Sequence, residues 1–160
     1  NAEVQELFET TIQEWFDDSA ETWDRQKMFQ AVWSGDTETL TKEISKLLLR
    51  TISYHDYKED FYHAFLAGIF AGGGHRVESN REHGEGRSDI IVFDKNNARL
   101  AIFEVKCVKS LDALPAACEA ALEQIDDRRY TESFWDNYDK KLHYGIAFYK
   151  KRCLVKRATN

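Results

Sequence analysis

Residues 86–93 read Gly-Arg-Ser-Asp-Ile-Ile-Val-Phe, and residues 100–107 read Leu-Ala-Ile-Phe-Glu-Val-Lys-Cys. Both segments are rich in Ile, Val and Phe, which favour strands. The polar segment Asp94-Lys95-Asn96-Asn97 follows the first of them and is typical of a turn. The sequence therefore predicts two strands joined as a hairpin.

Charged side chains interrupt the second strand. Because side chains alternate along a strand, Glu104 and Lys106 project from the same face. Burial of these charges should cost several kcal/mol unless something compensates for them. A bound cation would do so, together with a carboxylate from the neighbouring strand, where Asp89 is suitably placed. The alternative is a plain buried ion pair. The opposite face is expected to be core and carries Ala101, Phe103, Val105 and Cys107.

The spacing Asp-x14-Glu-x-Lys, over a hairpin that a Gly-rich turn precedes, resembles the PD-(D/E)XK nuclease superfamily. One position departs from the superfamily's first motif, because Ser88 stands where that motif has Pro. Only the Asp of that motif carries chemistry, so the departure changes little. Further segments share the resemblance: Ser79-Asn80-Arg81-Glu82, Gly84-Glu85-Gly86-Arg87, Gln124-Ile125 and Tyr144-Gly145-Ile146-Ala147-Phe148.

The complete set of segments resembles one subfamily, in which such a domain follows an AAA-type ATPase domain in prokaryotic proteins. The resemblance implies an α/β, restriction-endonuclease-like αβββαβ core with a mixed sheet over residues 53–160. Residues 1–52 are predicted to be a helical N-terminal unit that links this domain to the upstream ATPase domain. The chain begins with Asn, and we therefore expect a fragment of a longer protein.

Hydrophobic periodicity predicts the individual helices. Three lie before residue 53, with Asp36 as a cap of the third, and their aromatic stripe is expected to be core rather than a partner surface. Another is predicted over residues 53–72, ended by three glycines. A long Ala-rich helix should begin at Ser110 or Asp112 and reach about Tyr130, with Pro115 in its first turn. Strands are also expected near residues 75–80, 142–149 and 153–156.

The resemblance implies a metal-dependent nuclease that hydrolyses phosphodiester bonds, with DNA as the expected substrate. Mg²⁺ or Mn²⁺ would be held by oxygen ligands from Asp89 and Glu104, with the Val105 carbonyl as a third. Lys106 would orient or deprotonate the attacking water, or stabilise the pentacovalent phosphate. The rival interpretation is a nuclease fold that serves as a non-catalytic nucleic-acid-binding or regulatory module of an attached ATPase.

Two further side chains are candidates for the same site. In the resembled family the first core helix offers an acidic residue, for which Glu59 is the candidate and Asp60 the competitor. A Gln on the later helix lines the site in related nucleases, and Gln124 corresponds to it. Either residue could instead be an ordinary polar group on a helix surface.

Basic residues are concentrated towards the end of the chain. The net charge is −6, but residues 1–60 hold 14 acids and 6 bases, whereas residues 61–160 hold 14 acids and 16 bases. Residues 140–160 contain seven basic residues and no acid, and Lys150, Lys151 and Arg152 among them could follow a phosphate backbone. Arg87 could clamp a phosphate. The alternatives are a Lys-protected edge strand and a simple glycine turn.

Several classes of protein are disfavoured. The apolar stretch at residues 61–71 is too short for a membrane helix, and no signal peptide is visible, so a cytoplasmic location is expected. Three cysteines without metal-ligand spacing predict reduced core thiols. No Walker A loop occurs, and none of the five histidines is assigned a catalytic role.

Overall fold

The computed structural model describes residues 25–51, 59–81, 88–128 and 137–158. The helices are α1 (Arg25–Ser34), α2 (Thr37–Thr51), α3 (Glu59–Gly72) and α4 (Leu114–Arg128), and the strands are β1 (Arg76–Arg81), β2 (Ser88–Asp94), β3 (Arg99–Cys107), β4 (Lys140–Tyr149) and β5 (Arg152–Arg157). The predicted first helix, before residue 17, and the start predicted for α3 lie outside the described residues. No helix in the described ranges is long and apolar enough to cross a membrane.

The strands form a single mixed sheet in the order β1-β2-β3-β4-β5. Strand β3 pairs in parallel with β4, while the other neighbours are antiparallel. Parallel neighbours need a crossover, and α4 provides it between β3 and β4. This arrangement confirms the predicted α/β, restriction-endonuclease-like fold preceded by helices.

One side of the sheet, called the α3 face here, carries the main core. Phe103 of β3 packs against Phe70 of α3, with ring centroids 4.9 Å apart, and stacks on Tyr144 of β4 at 4.7 Å. Ala101, Phe103 and Val105 are buried as predicted, and the half-buried Cys107 packs against the same cluster. Alternation along β3 therefore directs Ala101, Phe103 and Val105 to α3, and it directs Glu104 and Lys106 to the other side together with Leu100 and Ile102.

Helices α1 and α2 contribute to the same apolar cluster. Phe29 and Trp33 of α1 are buried, which confirms that this aromatic segment is core. Asp36 caps α2, because its carboxylate accepts hydrogen bonds from the backbone N–H of Thr39 at 3.1 Å and from the Thr39 hydroxyl at 2.6 Å. The Lys140 ammonium donates to the Trp33 carbonyl at 2.6 Å, which fastens α1 to β4.

The opposite side, the α4 face, carries a smaller apolar cluster in which Ile125 of α4 meets residues of β2 and β3. Gly145 of β4 allows a close approach of the helix. A Cβ at that position would lie 2.4 Å from the Cys118 carbonyl oxygen, which is closer than real Cβ contacts come. Helix α4 therefore rests on the backbone of β4 directly beside β3.

All three cysteines are free thiols, as predicted. Cys118 and Cys153 are buried, whereas Cys107 is half-buried. Burial raises the pKa of Cys118 to about 11 and that of Cys153 to about 12. Both thiols therefore stay protonated at neutral pH, as expected of packing residues.

Candidate active site

Two acidic side chains face each other across the β2–β3 hairpin. Asp89 is the second residue of β2, and it pairs directly with Glu104 of β3. Directly paired residues of antiparallel strands share a face, with Cβ atoms about 5 Å apart. The exposed fractions are 1% for Asp89 and 0% for Glu104. The sequence prediction that these carboxylates come from neighbouring strands agrees with this register.

Each carboxylate accepts a hydrogen bond from the neighbouring backbone or strand. The Asn80 side-chain amide donates to Asp89 Oδ1 at 3.0 Å, and Asn80 is the β1 residue opposite Asp89. The backbone N–H of Ser88 donates to Glu104 Oε1 at 3.3 Å. Hydrogen bonds to a carboxylate stabilise its charged form. These donors therefore offset part of the cost of burying two acidic groups side by side.

Lys106 is half-buried and lies two residues beyond Glu104 on β3. Strand alternation places it on the face shared by Asp89 and Glu104. The Val105 backbone, including its carbonyl, lies between the two charged residues of β3, and the Val105 side chain is buried on the α3 face. The predicted trio of charged residues therefore shares one face and one end of the sheet.

Glu59 is the first residue of α3 and is half-buried, whereas Asp60 is exposed. The Glu59 charge raises the pKa of Cys107, the last residue of β3, although burial is the larger cause of that rise. Glu59 therefore lies near the end of β3 at which the candidate site is built. Helix α3, however, packs on the face opposite to Asp89. No cluster of three or more acidic, His or Cys side chains suited to a metal forms among the described residues.

His63, one helical turn after Glu59, is a polar residue to which sequence analysis assigns no role. It is buried, and its ring nitrogens hydrogen-bond the hydroxyl of Ser88, at 3.1 Å, and that of Ser79. Burial lowers the His63 pKa, while the charges of Asp89 and Glu59 act in the opposite direction. The imidazole is therefore neutral at pH 7. Its partners lie 16 and 25 positions away in sequence, a separation that helical or strand periodicity cannot reveal.

Gln124 lies on α4 between two points of contact with the sheet. One turn earlier, Ala121 lies 3.1 Å from the position of a Cβ on Gly145, which is the β4 neighbour of Glu104. One residue later, Ile125 packs into the apolar cluster of the α4 face. Gln124 is half-buried, and its carboxamide oxygen is buried. The helix therefore carries Gln124 across the sheet close to the level of Glu104.

The turn between β4 and β5 holds the basic residues predicted to contact substrate. Lys150 and Arg152 are exposed and Lys151 is half-buried. The Lys150 backbone has a φ of 51°, and its carbonyl accepts a hydrogen bond of 2.7 Å from the Tyr62 hydroxyl of α3. Because the ends of β3 and β4 pair in parallel, this turn lies at the same end of the sheet as Lys106.

Other basic residues near the end of the chain have structural partners. Lys140 contacts α1, as described, and the Lys156 ammonium lies 3.1 Å from a Glu119 carboxylate oxygen. Strand β5 is an edge strand, so the alternative role in protecting an edge is compatible with these positions. Arg87 and the glycine turn that contains it lie outside the described residues.

The donor set fits a hard divalent cation. Two buried, directly paired carboxylates repel each other, and a cation between them would reverse that repulsion. Mg²⁺ and Mn²⁺ prefer oxygen ligands, and Mg²⁺ commonly binds proteins through one or two carboxylates. These two side chains could therefore contribute oxygen ligands to such an ion.

A family model described as the PD-(D/E)XK nuclease superfamily matches residues 57–158, which is more than half of the chain. The matched range contains the sheet, α4 and both paired carboxylates. No curated protein matches the chain significantly.

Proposed function

We propose that this chain, which belongs to the PD-(D/E)XK nuclease superfamily, hydrolyses phosphodiester bonds of DNA with the aid of Mg²⁺ or Mn²⁺. Nucleases of this superfamily generally use divalent metal ions. The proposal rests on the direct pairing of Asp89 with Glu104, both of which are buried in the hairpin next to apolar residues. A pair of buried like charges is unfavourable as a purely structural element, and its chemistry suits a cation site.

Asp89 and Glu104 would hold the cation, with the Val105 carbonyl as a further oxygen ligand. When bound, the cation supplies charge neutralisation at the phosphate and a water of lowered pKa. The two carboxylates would also fix where the cation is held relative to β3, because both are anchored by hydrogen bonds to the sheet, and the cation would in turn attract the scissile phosphate. This anchoring reduces the reorganisation that the site must undergo during reaction.

Lys106 would act on the attacking water or on the phosphate. Its side chain projects from β3 beside Glu104, and it is half-buried, so it can reach solvent while remaining close to both carboxylates. An ammonium in that position can orient a water molecule, and it stabilises the negative charge that develops on phosphate oxygens. Gln124 would position water or a backbone phosphate from α4, and Glu59 would contribute a further carboxylate from α3.

The basic turn of Lys150, Lys151 and Arg152 would bind the DNA backbone. It lies at the same end of the sheet as Lys106, one strand spacing or more away from β3, which corresponds to roughly 5–10 Å. Phosphates follow each other along one DNA strand at about 3.4 Å of helix axis, so neighbouring phosphates of one strand could contact the turn and approach the carboxylates together. Arg87 would contact a further phosphate.

Calorimetric titration with Mn²⁺ and a DNA cleavage assay test this function directly. Asp89→Asn and Glu104→Gln should each abolish measurable Mn²⁺ binding and reduce cleavage about a thousandfold, since a bound cation supplies several kcal/mol of transition-state stabilisation. Circular dichroism and thermal unfolding of the metal-free variants provide the folding control. Unchanged Mn²⁺ affinity in both folded variants would sink the assignment of the site.

A second candidate function is a non-catalytic nucleic-acid-binding or regulatory module of an attached AAA-type ATPase domain. The net charge of −8 over residues 1–60 favours it, because this excess of acidic side chains disfavours independent association with DNA. The two functions separate when DNA binding is measured in Ca²⁺ and cleavage in Mg²⁺ or Mn²⁺. Binding in Ca²⁺ without cleavage in either other metal would support the module.

A further inference from the structure

Ser88 uses two different groups to connect the two faces of the sheet. Its hydroxyl meets His63 of α3 at 3.1 Å, and its backbone N–H donates to Glu104 Oε1 at 3.3 Å. The second nitrogen of His63 bonds the Ser79 hydroxyl on β1. Ser88 is 2% exposed, so these hydrogen bonds are shielded from water. The backbone just before Asp89 is thus linked to α3, to β1 and to the Glu104 carboxylate.

The donor to Glu104 depends on which residue occupies this position. Ser88 stands where the first motif of the resembled nucleases has proline, and a proline has no backbone N–H to donate. This chain can therefore make a hydrogen bond to Glu104 that the motif's usual residue cannot make. Ser88 is also the first residue of β2, where a missing N–H is compatible with the strand.

We propose that Ser88 is a positioning residue that sets the orientation of the Glu104 carboxylate through its backbone N–H. This inference rests on the proposed function, because the orientation serves the binding of a divalent cation by Glu104 and Asp89. The hydroxyl of Ser88 has a separate task, since its hydrogen bond to His63 holds the start of β2 against α3.

The physical reason lies in the freedom of a glutamate side chain and in the charge beside it. The terminal torsion of Glu is broad, so its two oxygens are poorly oriented unless a donor fixes them. Asp89, directly opposite, repels the Glu104 carboxylate and favours rotation away from a shared cation. A donor held in the backbone opposes that rotation without losing side-chain entropy, because its own position is fixed by the strand.

Loss of a partner that orients a metal ligand typically weakens metal binding by roughly 10–100-fold. The hydrogen bond of 3.3 Å is long for an N–H···O interaction, so we expect an effect near the lower end, about tenfold. The Ser88 hydroxyl bonds the His63 ring rather than a carboxylate, so its removal should change Mn²⁺ affinity by less than about threefold.

The first test needs neither metal nor activity. The amide proton of Ser88 is observed by NMR in the metal-free protein and in the metal-free Glu104→Gln variant. A charged acceptor deshields the amide proton more than a neutral one, so the resonance should move upfield in the variant. Amides at the distant end of the hairpin, such as that of Phe93, should stay in place. An unmoved Ser88 resonance overturns the proposal.

The second test compares Ser88→Pro with Ser88→Ala by Mn²⁺ calorimetry. Both variants lack the hydroxyl that bonds His63, but only the proline variant also lacks the N–H. Ser88→Pro should therefore bind Mn²⁺ about tenfold more weakly than Ser88→Ala. Equal affinities in the two folded variants would contradict positioning by the N–H. If Ser88→Pro does not fold, the NMR shift decides alone.

These measurements separate the positioning role of Ser88 from the existence of the cation site. If the wild-type chain binds no Mn²⁺, the assignment of the cation site is wrong, whatever the role of Ser88. Mn²⁺ binding that requires Asp89 and Glu104 would support the cation site. If the Ser88 amide resonance then does not move, or if Ser88→Pro and Ser88→Ala bind Mn²⁺ equally well, the site stands but Ser88 does not position Glu104.

Discussion

Two residue pairs of the β2–β3 hairpin are almost equally buried but chemically opposite. Near the turn, directly before the terminal Asp94–Arg99 pair, Phe93 faces Leu100, and this part is called the apolar end here. Four residues along β2, Asp89 faces Glu104, and this part is called the acidic end. The exposed fractions are 5% and 0% for the apolar pair and 1% and 0% for the acidic pair. Burial of the apolar pair stabilises the fold by roughly 1.5–3 kcal/mol per side chain, whereas burial of adjacent carboxylates opposes folding.

The difference shows that one element serves two purposes along its length. The apolar end attaches the hairpin to α4, and this packing makes the hairpin rigid. The rigid strands hold the two carboxylates of the acidic end side by side, whereas in solvent these charges would separate. Substitutions at the apolar end should therefore act mainly on stability, and substitutions at the acidic end mainly on metal binding and turnover.

Replacement of Lys106 by Ala should lower the cleavage rate about a thousandfold and leave Mn²⁺ affinity within about twofold, because an ammonium is not a metal ligand and supplies several kcal/mol only in the transition state. Lys106→Arg should not restore the rate, since a planar guanidinium cannot occupy the same point. Single-turnover cleavage and calorimetry measure the two quantities.

Lys109→Ala is the matched control for Lys106, because Lys109 lies three residues further along and is exposed. It should cleave at the wild-type rate. If Lys106→Ala cleaves at that same rate, Lys106 has only a structural role. The carboxylates of Asp89 and Glu104 would then be the functional groups at this end of the hairpin.

Ile102→Ala and Glu104→Gln should change the free energy of unfolding in opposite senses. Ile102 is buried in the apolar cluster of the α4 face, so its truncation should cost about 2–4 kcal/mol. Glu104→Gln removes repulsion from Asp89, so the metal-free variant should be as stable as wild type or more stable. Urea unfolding without metal checks both. A large loss of stability in Glu104→Gln would contradict the division between the two ends.

The basic turn beyond the acidic end should contribute to the salt dependence of DNA affinity. Replacing Lys150, Lys151 and Arg152 together by Gln should weaken binding and reduce the slope of log affinity against log salt by about 0.9 for each phosphate that the turn no longer neutralises. Binding is measured in Ca²⁺ to prevent cleavage. Lys95→Gln, an exposed lysine at the apolar end, is the control and should leave the slope unchanged. An unchanged slope in the triple variant would support the alternative, in which these residues belong to a solvated edge strand that contacts no phosphate.

The acidic end should also show the smaller effect of pH. Burial holds the His63 pKa below its usual 6.5, so the unfolded chain takes up this proton before the folded chain does. The contribution of His63 to stability is therefore complete above pH 6.5 and is lost as pH falls from there through the folded-state pKa. Urea unfolding from pH 7.5 to 5.5 measures this decline. His63→Gln should show a shallower decline, and equal slopes would exclude the histidine as its source.

Much of the fold could be predicted, because the hairpin and α4 follow from local signals. Alternation of apolar and charged residues on β3 indicates which side faces the core, and Pro115 with the Ala-rich segment indicates α4. The hairpin also predicts that Asp89 and Glu104 come from neighbouring strands, whereas their direct pairing is a finding of the structure. These features depend on neighbours in sequence, which is where periodicity is informative.

The surroundings of the carboxylates could not be predicted in the same way. Asn80 and His63 reach the site region from separate elements, and their hydrogen bonds depend on how α3 and β1 pack. In the sequence, Ser88 is noticeable only because it replaces the proline of the first motif. The hydrogen bond that its backbone N–H makes cannot be recognised from the sequence. The roles given to Glu59, Gln124 and Arg87 come from resemblance, and they remain predictions.

The direct pairing of Asp89 with Glu104 also has a consequence for how the chain reaches its folded state. Side chains alternate faces, so a slip of one residue along β2 or β3 would turn that strand's carboxylate towards the apolar α3 face. Burial there of an unpaired charge costs several kcal/mol. A run of Ile, Val and Phe alone would tolerate a slipped pairing of the two strands. The acidic residues make a slipped hairpin unfavourable, and they therefore help to set the register of β2 and β3 during folding.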